Sequence, residues 1–440
     1  MDVTIDGRTA GDIAASVRAL VDGGALAPGD PLPPVRTLAA QLGVNRNTVV
    51  AAYRQLAQAG AVVTRGRAGT RVAGADHLPE EGFARDAVLR DVGSGNPDPR
   101  LLPDPAAVRV PPAAPVLYGQ STLDPALATW ATDHVTADCP RELRVSVTGG
   151  AVDGVERLLA TTLAPGDLVA LEDPCYLTSI STVRRAGYLP VPVTVDAEGM
   201  TVDGLRAALT AGARAVVCTP RAHNPTGASL SERRAAALRR VLAPHPNVLV
   251  VEDDHFSLLS RSPYRSVVGP RHARWAVVRS VSKFLGPDLR LAYVASDPET
   301  AERLAARLGP GTTWVSHLLQ RTAAALLTDP ATHDLLARAR DRYAHRNAAF
   351  VDLLASRGLA ATAPDGLNVW VALPAPSSDV TARLMRRGWL ARDGADFALE
   401  RRVPRAPHLR LTVHDLDDDD AVRLADDLAA ATRPAGRPSR

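Results

Sequence analysis

Lysine is almost missing from this chain of 440 residues. Of its 51 basic residues all are arginine except one, Lys283. Lysine is normally among the commonest residues, and the heavy use of Ala, Arg, Gly and Pro points to a GC-rich coding bias as the cause. Such a bias removes lysine wherever arginine serves as well. A position that keeps it is a candidate for chemistry arginine cannot do, because an arginine stays protonated whereas a lysine amine can deprotonate and form a Schiff base. Cysteine is scarce too. Cys139, Cys175 and Cys218 show no metal-ligand spacing and no disulfide framework, so a reduced, cytoplasmic protein is expected. No apolar run reaches the roughly 18 residues of a membrane span, and Met1 to Arg8 carry acids and no apolar signal core. A hydrophobic fraction of 46% and a charged fraction of 22% exclude wholesale disorder. The length suits two or three domains.

The net charge of +3 is small, but its placement is informative. Residues 1–75 hold eight arginines against five aspartates, with Arg65, Arg67 and Arg71 near the end. Ile13, Val17, Leu20 and Val21 recur at helical spacing. The Pro- and Gly-containing turn at 27–31 ends that helix. A short helix, Val35 to Leu42, is stopped by Gly43, and Val44-Asn45 opens a third helix to about Gly60. Ala61 to Thr64 and Thr70 to Val72 read as strands flanking a wing. A short helix, a Gly turn and a helix with polar residues at its start is helix-turn-helix geometry. Asn45, Arg46, Asn47 and Thr48 are the side chains that could reach base edges or phosphates of double-stranded DNA. The basic wing beside them strengthens the nucleic-acid reading.

Residues 73–92 are polar and aperiodic and read as a linker. From Gly93 the pattern becomes α/β: strands at 145–149, 167–172, 214–219, 247–252, 275–281 and 291–295 alternate with helices at 151–163, 178–186 and 231–242. This predicts a three-layer domain with a mostly parallel sheet. Long helices fill 298–357. A smaller α+β part follows from about 358 to 432, with strands at 367–373 and 408–413. Residues 433–440 read as a disordered tail, and Asp417 to Asp420 as a solvated helix start.

Four loops of the α/β part carry chemistry. Ser280-Val281-Ser282-Lys283 follows a strand, with Arg290 close behind. Two hydroxyls and an arginine around a lysine suit a phosphate beside a reactive amine. Glu252-Asp253-Asp254-His255 ends another strand, at the ligand edge of an open α/β sheet. Asn224-Pro225-Thr226-Gly227 is a turn presenting an amide, with His223 before it as a loop residue. Thr148-Gly149-Gly150-Ala151 is a glycine-marked helix N-terminus, a ready phosphate site. A Schiff-base amine, a carboxylate, an amide and a phosphate cup are what pyridoxal 5′-phosphate requires.

Two resemblances attach to these residues. Leu32-Pro33-Pro34-Val35-Arg36-Thr37-Leu38-Ala39, Leu42-Gly43-Val44-Asn45-Arg46-Asn47-Thr48-Val49 and the wing Gly66-Arg67-Ala68-Gly69-Thr70 resemble the GntR-type winged helix, over residues 8–73. That likeness implies DNA contacts from Arg36, Arg46, Asn47 and Thr48, with Gly66 and Arg67 at the minor groove. The four loops resemble fold-type I aminotransferases of class I/II, over residues 93–430. This implies that Lys283 links the cofactor, Asp253 pairs with its pyridine nitrogen and Asn224 bonds its O3′. Ser280, Ser282, Arg290 and the amides of Gly150 and Ala151 would hold its phosphate. Tyr176 would stack on the ring, Tyr118 would reach the phosphate of a second subunit, and Arg410 would grip an effector carboxylate. His255 and Phe256 stand where that family often has a tyrosine on O3′, and His255 can donate there instead. Leu123 replaces the second glycine of a Tyr-Gly-x-x-x-Gly pattern. The fusion resembles MocR/GabR-type transcription regulators: a winged helix over 1–72, a linker over 73–92 and an aminotransferase-like domain over 93–432. It implies a homodimer that senses a small amine or amino acid, or pyridoxal phosphate itself. A working aminotransferase that carries a DNA-binding unit is the competing reading.

Overall fold

The structure is a computed structural model and describes residues 4–58, 61–64, 69–72, 89–308, 314–399 and 406–433. The chain divides into two compact bodies, Met1–Asn96 with Asn347–Thr362 and Asn368–Arg440, and Pro97–Arg346 with Ala363–Leu367.

The first body begins with the helices α1 (Ala10–Asp22), α2 (Val35–Leu42) and α3 (Arg46–Gln58) and the hairpin of β1 (Val62–Thr64) and β2 (Thr70–Val72). Thr9 caps α1 in a capping box with Asp12, satisfying two orphan backbone donors. Gly43 ends α2 at φ +66°, a left-handed conformation that glycine adopts without cost. An added Cβ there meets nothing within 4 Å, so the penalty of substitution is purely conformational. Gly43→Ala should lower stability by about 1–2 kcal/mol, read as a shift in the denaturant midpoint.

The buried face of α1 (Ile13, Ala14, Val17) packs with Leu38, Val49, Ala52, Tyr53 and Leu56. Two residues from far along the chain, Met385 and Leu390, complete this same core. An added Cβ on Gly11 would lie 3.2 Å from the Cα of Arg386, and Arg18 pairs with Asp393 at 3.9 Å. The N-terminal three-helix unit thus shares its core with the C-terminal part. Within the stretch expected to be linker, Arg90–Asp91 form β3, flanked by buried Leu89 and Val92.

The second body holds α4 (Pro125–Asp138), β4 (Arg144–Thr148), α5 (Ala151–Ala160), β5 (Leu168–Asp173), α6 (Leu177–Arg185), β6 (Leu189–Asp196), β7 (Gly199–Met200), α7 (Val202–Thr210), β8 (Ala215–Cys218), α8 (Glu232–Leu242), β9 (Leu249–Asp253), β10 (Trp275–Ser280), β11 (Ala292–Ser296), α9 (Pro298–Arg307) and α10 (His317–Thr328). The sheet order is β4-β11-β10-β9-β8-β5-β6-β7. The run from β10 through β9, β8 and β5 to β6 is parallel. β11 lies antiparallel to both β10 and β4, so β4 runs in the same direction as β10. The central strands are buried along their whole length, as expected of a sheet covered on both faces.

The first body resumes at Asn347, within α11 (Pro330–Ala355), and goes on with β12 (Ala361–Thr362), β13 (Asn368–Ala372), α12 (Ser377–Arg386), β14 (Trp389–Leu390), β15 (Arg392–Asp393), β16 (His408–Thr412) and α13 (Asp418–Thr432). Its sheet runs β12-β13-β16-β15, and β14 pairs in parallel with β3. Asp417 caps α13, as the acidic run suggests. The predicted elements are present. β3, β6, β7, β12, β14, β15, α4 and α7 are additional to them.

Candidate functional site

Because β4, β5, β8, β9 and β10 share one direction, their C-terminal ends open at one edge of the sheet. The loops that leave those ends are the ones singled out from sequence. β4 leads into Gly149-Gly150, and α5 begins at Ala151. Gly150, with φ +105° and nothing within 4 Å of an added Cβ, is the N-cap residue of α5, the end of a helix at which an anion is favoured, and the Gly149 N–H before it donates to Asp153 at 2.9 Å. β5 leads to Tyr176, the half-buried N-cap residue of α6. β8 leads to His223 and Asn224, both buried. β9 ends at Asp253, with half-buried His255 two residues on. β10 ends at Ser280, whose Oγ accepts the Ser282 N–H at 3.2 Å.

Lys283 follows in a tight turn held by Phe284 and Leu285 N–H bonds to the Val281 carbonyl, at 3.1 and 2.7 Å. Val281, Phe284 and Leu285 are buried, so apolar anchors fix the turn on which Lys283 is half-buried. Arg290 is exposed and has φ +46°, a left-handed conformation uncommon for a non-glycine residue.

The two adjacent aspartates have opposite electrostatics. Asp254 accepts from Arg221 at 2.7 and 2.8 Å and from Arg279 at 2.8 Å. Arg279 also bonds Asp138 at 2.5 Å, and its guanidinium lies 5.0 Å from the Tyr264 ring centroid. Burial alone would raise the pKa of Asp254, but the Arg221 bond and the two guanidinium charges outweigh it and hold Asp254 below the usual range. Asp253 is pushed up to about 7, first by burial and then by the charge of Asp254. Its Oδ1 is buried without a hydrogen-bond partner. An orphaned acceptor of this kind fits a protonated ring nitrogen, which would satisfy it and restore its charge.

The structure also brings in residues that motif reasoning missed. His223, expected to be an ordinary loop residue, is buried, and its Nε2 lies 3.5 Å from Oε2 of buried Glu172. Glu252 forms a separate buried cluster. It accepts from Tyr264, from Ser266 at 2.9 Å and from the Val267 N–H at 2.6 Å. The only sequence signal for these pairs is that Glu172 and Glu252 lie one residue before the ends of apolar strands, where a charge calls for a buried partner.

Tyr118 is 79% exposed and leans on Trp314 with ring centroids 5.3 Å apart. Arg410 belongs to the first body. On β16 it is fully buried, donates to the Gly93 carbonyl at 2.6 Å and stacks 4.9 Å over Phe397. In the head, Arg36, Asn45, Arg46 and Asn47 are exposed and Thr48 is half-buried. Asn45 Oδ1 accepts the Asn47 N–H at 2.8 Å, so its carboxamide caps α3. Gly66 and Arg67 lie outside the described residues. The three cysteines are buried and free. Among the described residues no helix is long and apolar enough to cross a membrane, and no cluster of metal-ligating side chains occurs.

The fold and the loops define the class: a winged-helix DNA-binding unit fused to a fold-type I aminotransferase domain. Residues 9–72 match the bacterial regulatory proteins of the gntR family, and residues 115–428 match aminotransferase class I and II. The chain is 46% identical, over 97% of its length and 99% of the relative's, to the vitamin B6 salvage pathway transcriptional repressor PtsJ of Salmonella typhimurium. It is 28% identical, over 86% of each chain, to the pyridoxine biosynthesis transcriptional regulator PdxR of Corynebacterium glutamicum. The aminotransferase fold is seen in the kynurenine aminotransferase of Pyrococcus horikoshii, with a TM-score of 0.69 at 21% identity, over 79% of this chain and 91% of that one. The chain belongs to the MocR-type transcription regulators. Membership implies DNA binding and dependence on pyridoxal phosphate.

Proposed function

We propose that this protein is a cytoplasmic, homodimeric repressor-type regulator that binds operator DNA through α3 and takes vitamin B6, as pyridoxal 5′-phosphate, as its signal. The observation that carries this reading is the buried, unpartnered Oδ1 of Asp253 at the same sheet edge as the chain's one lysine. When bound, pyridoxal phosphate supplies an aldehyde that condenses with a primary amine and a ring that withdraws electrons when its nitrogen is protonated. Lys283 offers the amine. Asp253 accepts from the ring nitrogen, Asn224 and His255 donate to O3′, and Tyr176 covers the ring face. Ser280, Ser282, Arg290 and the Gly150 and Ala151 amides hold the phosphate, with Tyr118 reaching it from a second copy. Arg410 is the candidate for an effector carboxylate where a small amine or amino acid acts as co-signal. The names of the Salmonella and Corynebacterium relatives, one for vitamin B6 salvage and one for pyridoxine biosynthesis, support the vitamin itself as the signal.

On DNA, Arg46 and Asn47 at the start of α3 read bases, Arg36 and Thr48 hold phosphates, and Gly66 and Arg67 enter the minor groove. Arg46→Ala should weaken operator binding by about 1–3 kcal/mol and relax specificity at one base, measured by gel shift across single-base operator variants. Gel-shift titrations with pyridoxal phosphate alone, then with candidate amines, test the signal. DNA affinity that responds to pyridoxal phosphate without any amine supports the reading. Absence of DNA binding at low salt in every ligand state sinks it. Sustained turnover of amino donor and keto acid with no effect on DNA would favour the enzyme instead.

A further inference from the structure

Glu172 is the last residue but one of β5 and Asp173 ends that strand, three residues before Tyr176. Its Oε2 accepts the Thr219 N–H at 3.0 Å and stands 3.5 Å from Nε2 of His223, the residue before Asn224. His223 Nε2 is itself buried without a hydrogen-bond partner, while its Nδ1 meets the Thr226 hydroxyl at 2.8 Å, so the bond from Glu172 to this loop is the one from the Thr219 N–H. One buried carboxyl therefore joins the loop that carries Tyr176 to the loop that carries Asn224. Its remaining oxygen, Oε1, is buried without a hydrogen-bond partner. An ionised carboxylate in that position would leave a charge buried beside an unsatisfied acceptor, at a cost that normally ends in neutralisation.

We propose that Glu172 is a positioning residue of the cofactor pocket, held as an uncharged acid that bridges the Tyr176 and Asn224 loops and leaves Asp253 as the pocket's one anion toward the ring. This rests on the pyridoxal phosphate reading. The groups around Glu172 agree with it. Asp253 faces it from β9, the Cys218 thiol from β8, the Cys175 thiol from its own loop and His223 from the 219–227 loop. Burial first, then the charge of Asp253, pushes Glu172 up to about 8, against the Thr219 bond that pulls it down. Burial, and then His255, pushes His223 down to about 3, so its ring is neutral and offers no countercharge.

Glu172→Gln has the shape of the uncharged acid and cannot ionise. In full-length protein it should fold and bind pyridoxal phosphate with wild-type affinity and absorbance at neutral pH. Infrared difference spectra of apo protein should show a protonated-carboxyl band in the wild type that this variant lacks. The pH profile carries the sign. A carboxyl whose folded pKa lies above its unfolded value loses stability as pH rises between the two, here from 4.5 to about 8. The wild-type thermal midpoint should therefore fall more steeply across that window than that of Glu172→Gln. Glu172→Leu keeps the volume but removes the bridge, and should weaken cofactor binding and shift the bound absorbance. Failure of Glu172→Gln to fold, loss of about tenfold or more in its cofactor affinity, or an unchanged infrared band would overturn the proposal. A Glu172→Leu variant indistinguishable from wild type would overturn it equally. If wild-type protein takes up no pyridoxal phosphate, the cofactor reading fails by itself, and the infrared band and stability profile of apo protein still decide the state of Glu172.

Discussion

Lys283→Arg should abolish covalent capture of pyridoxal phosphate completely. Most proteins have spare lysines that can pick up an aldehyde when the proper one is removed. This chain has no other lysine side chain among its 440 residues, so the outcome is all or none. Arginine keeps the positive charge and much of the stem but does not give up its proton, and so cannot condense with an aldehyde. The turn should survive the change, because Val281, Phe284 and Leu285, which fix it, are the buried residues. Borohydride reduction followed by peptide mapping reads the result at the side chain, apart from any label on the N-terminal amine. Wild-type protein should gain one cofactor mass at that side chain and Lys283→Arg none. Retained side-chain labelling would refute the assignment. If the linkage also transmits the signal, the variant should bind operator DNA with an affinity that no longer responds to pyridoxal phosphate.

The loops of the candidate site were legible in sequence because they follow strand ends. Loops after β4, β8, β9 and β10 carry short, polar, conformationally special stretches, and the sheet gathers them whatever lies between. What was not legible depends on contacts that leave no local pattern. β6 contains Pro190 and Pro192, which argue against a strand. The structure places them beside β5 on a strand whose other neighbour, β7, pairs only with Val195 and Asp196, so missing N–H donors there break no ladder. The face of α1 that meets Met385 of α12 reads in sequence like any amphipathic stripe, and nothing in it names its partner. His223 is one imidazole in a polar loop, and only the fold brings Glu172 to it. The surroundings of Arg410 are likewise invisible in its motif: the structure buries it against Gly93 and Phe397.

The neighbouring aspartates give the second large effect. Asp254→Asn should cost about 3–5 kcal/mol of stability, the range for breaking a buried ion pair from one side. The substitution keeps the shape but removes the one charge that two guanidinium groups share. Arg279, itself fully buried, would be left with Asp138, which is partly exposed. Arg221 would be left with the Ser262 carbonyl at 3.2 Å. Asp253→Asn should do the opposite to the bare chain. Asp253 carries no guanidinium partner in the ion pairs around it, and its raised pKa works against stability as pH climbs from 3.8 to about 7. Neutralising it should leave the denaturant midpoint at neutral pH unchanged or higher, while weakening pyridoxal phosphate binding through loss of the pairing with the ring nitrogen. The depressed pKa of Asp254 acts in the other sense: its contribution is present above the unfolded value of 3.8 and is lost as pH falls through the folded one. Denaturant melts of both variants with and without cofactor separate the two roles. A wild-type midpoint for Asp254→Asn beside a collapsed one for Asp253→Asn would show that the structural anion and the cofactor-facing anion are the reverse of this assignment.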